Sequence, residues 1–476
     1  MAPLQTERNE SSIVTDITVY GATSFVARHI LNYIVDVSSF LPRKIKVTLA
    51  GRNEAKLNKV LSNFEPKVAS GQHVVFDVFV ANSTEDKALV EMANRTRVVI
   101  NCAGPFELYS SGVVAACAQV GCDYVDITGE VDWVGNMRLK HGPKAGESGA
   151  RIISLCGFDS IPSDMAVFAA VQELRKNNKK TDPVEIESAR TWHACFGGIG
   201  GGTLATVRNM KVDVMKCLFT DNKQLRKVPS FCFDPLVMAH PEDVRFNPDH
   251  DDTRHRLAKS EWINLLPFPH TIFKLGVSIP FFMAAANAKV VHASALALNY
   301  GPNFTYQERY LPLGFQRTLG FGLFSFIPSL ATLCFLGLGA LVIRLPLIGE
   351  LLLKVFLPPG TGAPDSVCDM GYANVYAEVK SPLKDKEGRV SCANAFLEFQ
   401  GDPGNYVTAQ CVVESALALV FNRKELPTRS KDGFGTPAEL LGGVLLTRLQ
   451  DTKVRPLKLK THVRLDERDH EYKVYL

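Results

Sequence analysis

Residues 17–27 read ITVYGATSFVA, and the reading of this stretch decides the fold. Ile17 to Tyr20 is a short β-branched run, which predicts a strand, and the segment ARHILNYIV from Ala27 spaces its apolar residues as a helix does. A glycine-bearing turn between strand and helix brings backbone N–H groups and the helix dipole to a pyrophosphate. Three small residues usually mark such a turn, and here they are Gly21, Ser24 and Ala27. Ser24 stands where the usual pattern has glycine, so its hydroxymethyl crowds the phosphate or hydrogen-bonds it. Gly21, Ala22, Thr23, Ser24, Phe25 and Val26 are the expected pyrophosphate cradle.

Working outward, KVTLA at 46–50 predicts a second strand that ends at Gly51, Arg52 and Asn53. The tip of this strand meets the adenosine ribose in a dinucleotide fold, where an acidic residue takes the 2′-hydroxyl of NAD. Arg52 favours the 2′-phosphate of NADP instead, through a charge-assisted contact, with Asn53 beside it. A third strand, VVFDVFV at 74–80, carries Asp77, which with Asn53 is a further candidate cofactor contact. A fourth, VVIN at 98–101, runs into Cys102, Ala103, Gly104, Pro105 and Phe106, a small-residue loop expected beside the cofactor. Strands near 124–126 and 151–155 complete the series. Strands alternating with helices over this length predict a doubly wound parallel sheet.

The chain has 476 residues, with 53 Lys plus Arg against 49 Asp plus Glu, and is 46% hydrophobic and 21% charged. That balance supports a large core and excludes a disordered chain. A formal charge of +4 with no basic, aromatic-interleaved cluster argues against nucleic acid as a partner. The 11 cysteines are scattered and form no C-x-x-C pair, so neither a disulfide framework nor a zinc ribbon is expected, and a reducing, intracellular compartment fits. Residues 1–12 are polar, unlike a signal peptide, and read as a loose tail.

From Thr318 to Ile343 no charged residue occurs, and a second apolar stretch follows from Leu345 to Leu357. The first is long enough for a membrane helix, but Pro328 and several glycines interrupt it. Two readings stay open: a buried helical hairpin, or a hairpin over about 318–357 that dips into a lipid monolayer.

Further along, CGFDSIPSD at 156–164 predicts a turn capping a helix from Asp164 to Lys176, with Ser163 or Asp164 as N-cap. A functional reading puts Asp159 and Ser160 on the cleft floor near a nicotinamide. Strands are expected at 184–196, 372–379 and 392–399, joined in an antiparallel or mixed second sheet. The five glycines of 197–202 permit either a tight turn or a close approach to a ligand. His240, His250 and His255 lie in an acidic loop whose spacing matches no zinc motif, so no metal is expected; His193 reads as a core histidine. Tyr109, just past the Cys102–Phe106 loop, is a candidate proton donor, and Tyr109 and Asp159 are the candidate catalytic residues.

Taken together, GATSFVA at 21–27, AGR at 50–52, NCAGPF at 101–106, YVDITGE at 124–130, CGFDSIPSD at 156–164, GGGT at 200–203 and GDPGNYVTA at 401–409 carry a resemblance. The chain resembles the saccharopine dehydrogenase-like oxidoreductases, a family that includes the mycobacterial trans-acting enoyl reductases. The resemblance implies an NADP-type Rossmann domain (13–160) and a second α+β domain (161–476) carrying the apolar hairpin. It also implies, for eukaryotic members, association with lipid droplets, mitochondria or other membranes. The expectation is an NADP(H)-dependent oxidoreductase with a hydrophobic or lipid-linked substrate, a membrane or lipid-droplet surface as partner, and a homodimer allowed. Two alternatives stand beside it: a saccharopine-type amino-acid dehydrogenase using Arg190, Arg208 and Lys211 as carboxylate clamps, and a non-catalytic lipid-droplet protein that keeps the fold.

Overall fold

The β-branched runs and amphipathic segments of residues 13–153 build six strands and their crossover helices. In the computed structural model the described residues are 13–64, 73–177, 184–198, 234–241, 253, 256–260, 270–272, 276–312, 326–345, 349, 351, 355, 361–384, 390–428 and 430–466. The first part runs β1 (Thr15–Tyr20), α1 (Phe25–Ser38), β2 (Ile45–Gly51), α2 (Glu54–Phe64), β3 (Val74–Val80), α3 (Asp86–Asn94), β4 (Thr96–Asn101), α4 (Phe106–Tyr109), α5 (Ser111–Val120), β5 (Asp123–Asp126), α6 (Val131–Ser148) and β6 (Ile152–Ile153). The second runs α7 (Ile161–Asn177), β7 (Ser188–Phe196), β8 (His270–Ile272), β9 (Gly276–Pro280), α8 (Ala284–Ala297), β10 (Thr305–Tyr310), α9 (Phe326–Arg344), α10 (Asp365–Met370), β11 (Tyr372–Lys384) and β12 (Val390–Gln400). A π-helical turn (Pro403–Val407), α11 (Thr408–Phe421), β13 (Phe434–Gly435), α12 (Pro437–Leu440), α13 (Gly442–Asp451) and β14 (Lys458–Asp466) follow.

The first sheet is parallel throughout, in the order β3-β2-β1-β4-β5-β6-β13. Strand order reverses between β1 and β4, and in such sheets ligands bind in the crevice outside the carboxyl ends at that switch point. Alternation along the strands sends Val98, Ile100, Val125 and Ile153 to one core, shared with α1 and α11. Val99, Tyr124 and Ile152 go to another, shared with α3, α5 and α6. Ile30, Leu31 and Ile34 of α1 are fully buried, each worth roughly 1.5–3 kcal/mol against exposure.

The seventh strand comes from Phe434–Gly435, parallel to β6, and α11 lies against β4 and β5. The first domain is therefore built from two pieces of chain, where the sequence led to one continuous stretch ending at 160. A two-residue strand is too short for a periodic signal.

The second sheet is mixed, β14-β12-β11-β7-β10-β9-β8, with β7 and β10 parallel and the other pairs antiparallel. Helix α7 packs on β11 and β12, and every residue from Ile161 to Val171 is buried. It starts three residues earlier than the sequence indicates, so Ser163 and Asp164 lie inside its first turn and are not its N-cap. Their polar atoms serve other elements instead: the Ser163 hydroxyl donates to Glu308 Oε1 at 2.6 Å, and Asp164 accepts from the Ser294 hydroxyl at 2.6 Å and the Ala438 amide at 2.8 Å. His193 is a core histidine, fully buried, with Nε2 2.7 Å from Glu308 Oε1 and its ring stacked on Phe281. Of the expected apolar hairpin, α9 is described; residues 318–325 and most of 346–357 lie outside the described residues, as do GGGT 200–203, Arg208, Lys211, His250 and His255.

One buried carboxylate ties the carboxyl ends of β4, β5 and β6. Asp126 Oδ1 accepts from the amides of Thr128 and Leu155, both at 3.1 Å, and Oδ2 from the hydroxyls of Tyr124 and Ser154, both at 2.9 Å. Asn101 donates to the Tyr124 hydroxyl at 2.9 Å and accepts from the Ala103 amide at 2.9 Å. Removing the acceptor strands several buried donors, each costing about 1–3 kcal/mol. Asp126→Ala is therefore expected to lose at least ~4 kcal/mol of stability in urea denaturation, and Asp126→Asn, which keeps an acceptor for the amides, clearly less.

Candidate functional site

At the switch point, the backbone of Gly21 has φ +78°, and a Cβ there would stand 2.8 Å from the Ala103 amide nitrogen. Only glycine permits both the left-handed conformation and this approach of the β4 loop. Ser24 is the N-cap of α1, its hydroxyl accepting from the Ala27 amide at 3.3 Å. The departure from glycine is thus used to cap the helix that would face a pyrophosphate, whose first-turn amides have no partner within the helix. Ala22 is buried, Thr23 is exposed, and Ser24, Phe25 and Val26 are half-buried. Phe25 turns to the second domain: its ring lies against Gly362 and edge-on to His29 at 5.0 Å.

Arg52 is exposed at the tip of β2 and makes no ion pair among the described residues, so its guanidinium is available to a phosphate. The Asn53 side chain is occupied, accepting from the Lys56 amide at 2.9 Å as it starts α2. Asp77 sits within β3 opposite Thr48, paired with Lys46 at 3.0 Å, and that cation helps hold its carboxyl below the ordinary range against the effect of burial. The structure brings Gly21, Ser24, Arg52 and Cys102–Phe106 to one end of the sheet and leaves Asp77 partway along its strand.

The Cys102–Phe106 loop is pinned at both ends. The Cys102 amide donates to Tyr20 O at 2.8 Å, and the Glu130 carboxylate accepts from the Phe106 amide at 3.0 Å and the Glu107 amide at 2.8 Å. Burial pushes the Cys102 thiol well above its ordinary range, so it is inert. Tyr109 projects from α4, 40% exposed. Glu130 escaped the sequence reading, although an acid three residues after Ile127 and just before a helix is a recognisable anchor.

Asp159 lies in the turn before α7. Its carboxyl is half-buried, makes no hydrogen bond or ion pair among the described residues, and is pushed by burial up to about 6. Cys195, at the end of β7, feels the charges of both Asp159 and Asp402, and burial raises its thiol to about 12. Asp402 is itself buried and accepts from the amides of Gly198 and Asn405, holding the end of β7 to the π-helical turn. The Asp-Pro-Gly-Asn run at 402–405 is a helix-start signal that could have located it. Gly198 meets Ala363, and Gly362 meets Phe25, so the end of β7 is docked beside the first turn of α1.

Residues 17–153 match the family described as the saccharopine dehydrogenase NADP binding domain. A trans-acting enoyl reductase of Mycobacterium tuberculosis is 28% identical over 452 residues, 91% of this chain and 95% of that protein. A protein of Caenorhabditis elegans described as lipid droplet localized is 40% identical over 153 residues, 32% of this chain and 35% of that one. Among solved structures, apo saccharopine dehydrogenase (L-Glu forming) from Saccharomyces cerevisiae aligns with a TM-score of 0.44 and 13% identity, covering 94% of this chain and all of that one.

A carboxyl raised by burial has a stability signature. The unfolded Asp159 titrates near ~4 and the folded one near 6, so the folded state binds more protons between these values and stability falls as pH rises through that window. Asp159→Asn removes the penalty: the variant is expected to be more stable than the parent at pH 8 and equal to it below pH 4, read by thermal denaturation at both pH values.

Proposed function

Because residues 17–153 are a saccharopine dehydrogenase-type NADP-binding domain, we propose that the chain is an NADP(H)-dependent oxidoreductase in which Asp159 handles the proton that accompanies hydride transfer to or from a hydrophobic substrate. The observation that carries this reading is the position of the Asp159 carboxyl, in the turn between the carboxyl edge of the parallel sheet and α7, with no hydrogen bond or ion pair among the described residues and raised by burial to about 6. The turn at Gly21 and the first turn of α1 would hold the pyrophosphate, Arg52 the 2′-phosphate, and the Cys102–Phe106 loop the nicotinamide side. When bound, the cofactor supplies or accepts the hydride. Asp159 in its acid form donates a proton to the atom of the substrate double bond that does not receive the hydride, and as the carboxylate takes that proton in the reverse direction; a pKa near working pH suits both. Tyr109 has no part in this scheme. The full-length kinship to trans-acting enoyl reductases supports an activated, uncharged carbon chain as substrate.

A second reading concerns location. Helix α9 presents Leu330, Phe335, Leu338 and Leu341 to solvent, Phe335 at 77%. Exposed apolar side chains in such number suit an interface with lipid, and no helix among the described residues is long and apolar enough to cross a membrane. The relative described as lipid droplet localized supports a droplet monolayer as the surface.

Arg52→Asp is expected to weaken NADPH binding at least tenfold while NADH binding holds or improves, since a charge-assisted contact contributes about 1.5–3 kcal/mol; cofactor fluorescence titration reads both. Absence of NADPH binding by the parent at submillimolar cofactor would favour the non-catalytic alternative. For location, Phe335→Glu combined with Leu338→Glu should abolish co-flotation with phospholipid-coated triacylglycerol droplets, and undiminished flotation would refute the role of α9.

A further inference from the structure

We infer that the cleft between α1 and the π-helical turn is a binding site for a small phosphomonoester, held by the Arg455 guanidinium and the His29 imidazole. The site is separate from the glycine turn at Gly21 and stands whether or not the redox reading does.

Helical spacing sets one wall. His29, Asn32, Tyr33 and Asp36 recur every three or four residues and so share one face of α1. That face, Tyr406 of the π-helical turn and Arg455 of the α13–β14 connection enclose a cleft of about 430 Å³. Its walls are tied to their surroundings. The Tyr33 hydroxyl donates to Glu414 Oε1 at 2.9 Å, and the Tyr406 hydroxyl to Asp369 Oδ1 at 3.1 Å. Arg455 keeps a left-handed backbone, φ +53°, its carbonyl accepting from Gln410 Nε2 at 2.8 Å. A non-glycine residue held in that region is strained, and such strain gathers at ligand clamps.

The two groups that define the site are both donors. The Arg455 guanidinium lies over the Tyr406 ring at 4.0 Å, and makes no ion pair among the described residues. His29 is buried, its ring edge-on to Phe25 at 5.0 Å and to the same Tyr406 ring at 5.3 Å. Arg28 Nη2 stands 3.5 Å from His29 Nε2. A guanidinium only donates, so Nε2 is the acceptor and the proton of the neutral ring sits on Nδ1. Burial first, then the Arg28 charge, pushes this imidazole down to about 4, so the ring is neutral at neutral pH. Nδ1–H has no acceptor among the described residues.

Two donors against one aromatic ring call for an anion, and the fork of a guanidinium suits phosphate oxygens. A cleft of this volume admits more than the bare anion. Asp36 lies seven residues from His29, roughly 10 Å along α1, and has a partner of its own, as does Asn32. A carboxylate at that end repels a second anionic group and accepts hydroxyls, so the fitting ligand carries one phosphate on a hydroxylated carbon skeleton. That chemistry occurs both in soluble esters and at the head of a phospholipid.

The test is calorimetric titration of the full-length protein with glycerol 3-phosphate. The parent should bind it, and Arg455→Gln should raise the Kd about tenfold or more, the loss of a charge-assisted contact. Asn32→Asp leaves Arg455 in place, adds a charge to the cleft, and should weaken binding too. By NMR, the His29 imidazole, assigned with His29→Gln, should titrate at a higher midpoint once the ester is bound, because an adjacent anion favours the protonated ring. Vesicles containing phosphatidic acid, offered to the Phe335→Glu and Leu338→Glu variant so that α9 does not hold them, separate the two sources. Capture that depends on Arg455 assigns the site to a lipid head, and binding of glycerol 3-phosphate alone assigns it to a soluble ester. No binding of either form, affinity indifferent to both cleft variants, or an unmoved His29 midpoint would overturn the inference.

Discussion

A single buried carboxylate, that of Asp126, holds the end of the parallel sheet where everything else happens. Four donors from β5, its following loop and the β6 edge converge on it, and through Tyr124 and Asn101 its hold reaches the Ala103 amide in the β4 loop. Burial pushes this acid up to about 6, which is the electrostatic cost of placing it there. The loop so anchored is the one that presses against Gly21, so the opening of the crevice depends on the same network that joins the strands.

The second domain is fastened by polar atoms sunk into apolar surroundings. Within the buried helix α7, Ser163 meets Glu308 and His193, and Asp164 meets Ser294 and Ala438. Asn287 of α8 donates to Glu308 and accepts from Ser160. Buried groups of this kind are costly when unpaired and position their neighbours when paired. Here they fix the turn that carries Asp159, leaving that one carboxyl without a partner among the described residues. A rigid surround that holds such an acid is how a site keeps a group ready for a substrate.

Much of the frame was legible in sequence order because the signals are local. Strand and helix boundaries in 13–153 follow periodicity, and Gly21 and Arg52 take their places from their spacing to strand ends. The side chains read as ligands fared differently, for physical reasons. The Asn53 and Ser24 oxygens are acceptors next to helix starts, and the helix amides claim them. Asp77 has Lys46 as its neighbour across the sheet, a pairing that needs the β2–β3 register to be seen. Ser163 and Asp164 resemble caps only until the helix is found to start before them.

By itself, the sequence determined the doubly wound sheet, the glycine turn, the cationic tip of β2 and the apolar character of α9, because each is a matter of period, backbone freedom or charge within a few residues. Tertiary structure alone decided that Phe434–Gly435 completes the first sheet, that Asp402 grips the end of β7, and that Asp159 stands without a partner among the described residues. Those facts join residues tens to hundreds of positions apart, and only packing, which sets who is buried against whom, can bring such groups within a few ångströms.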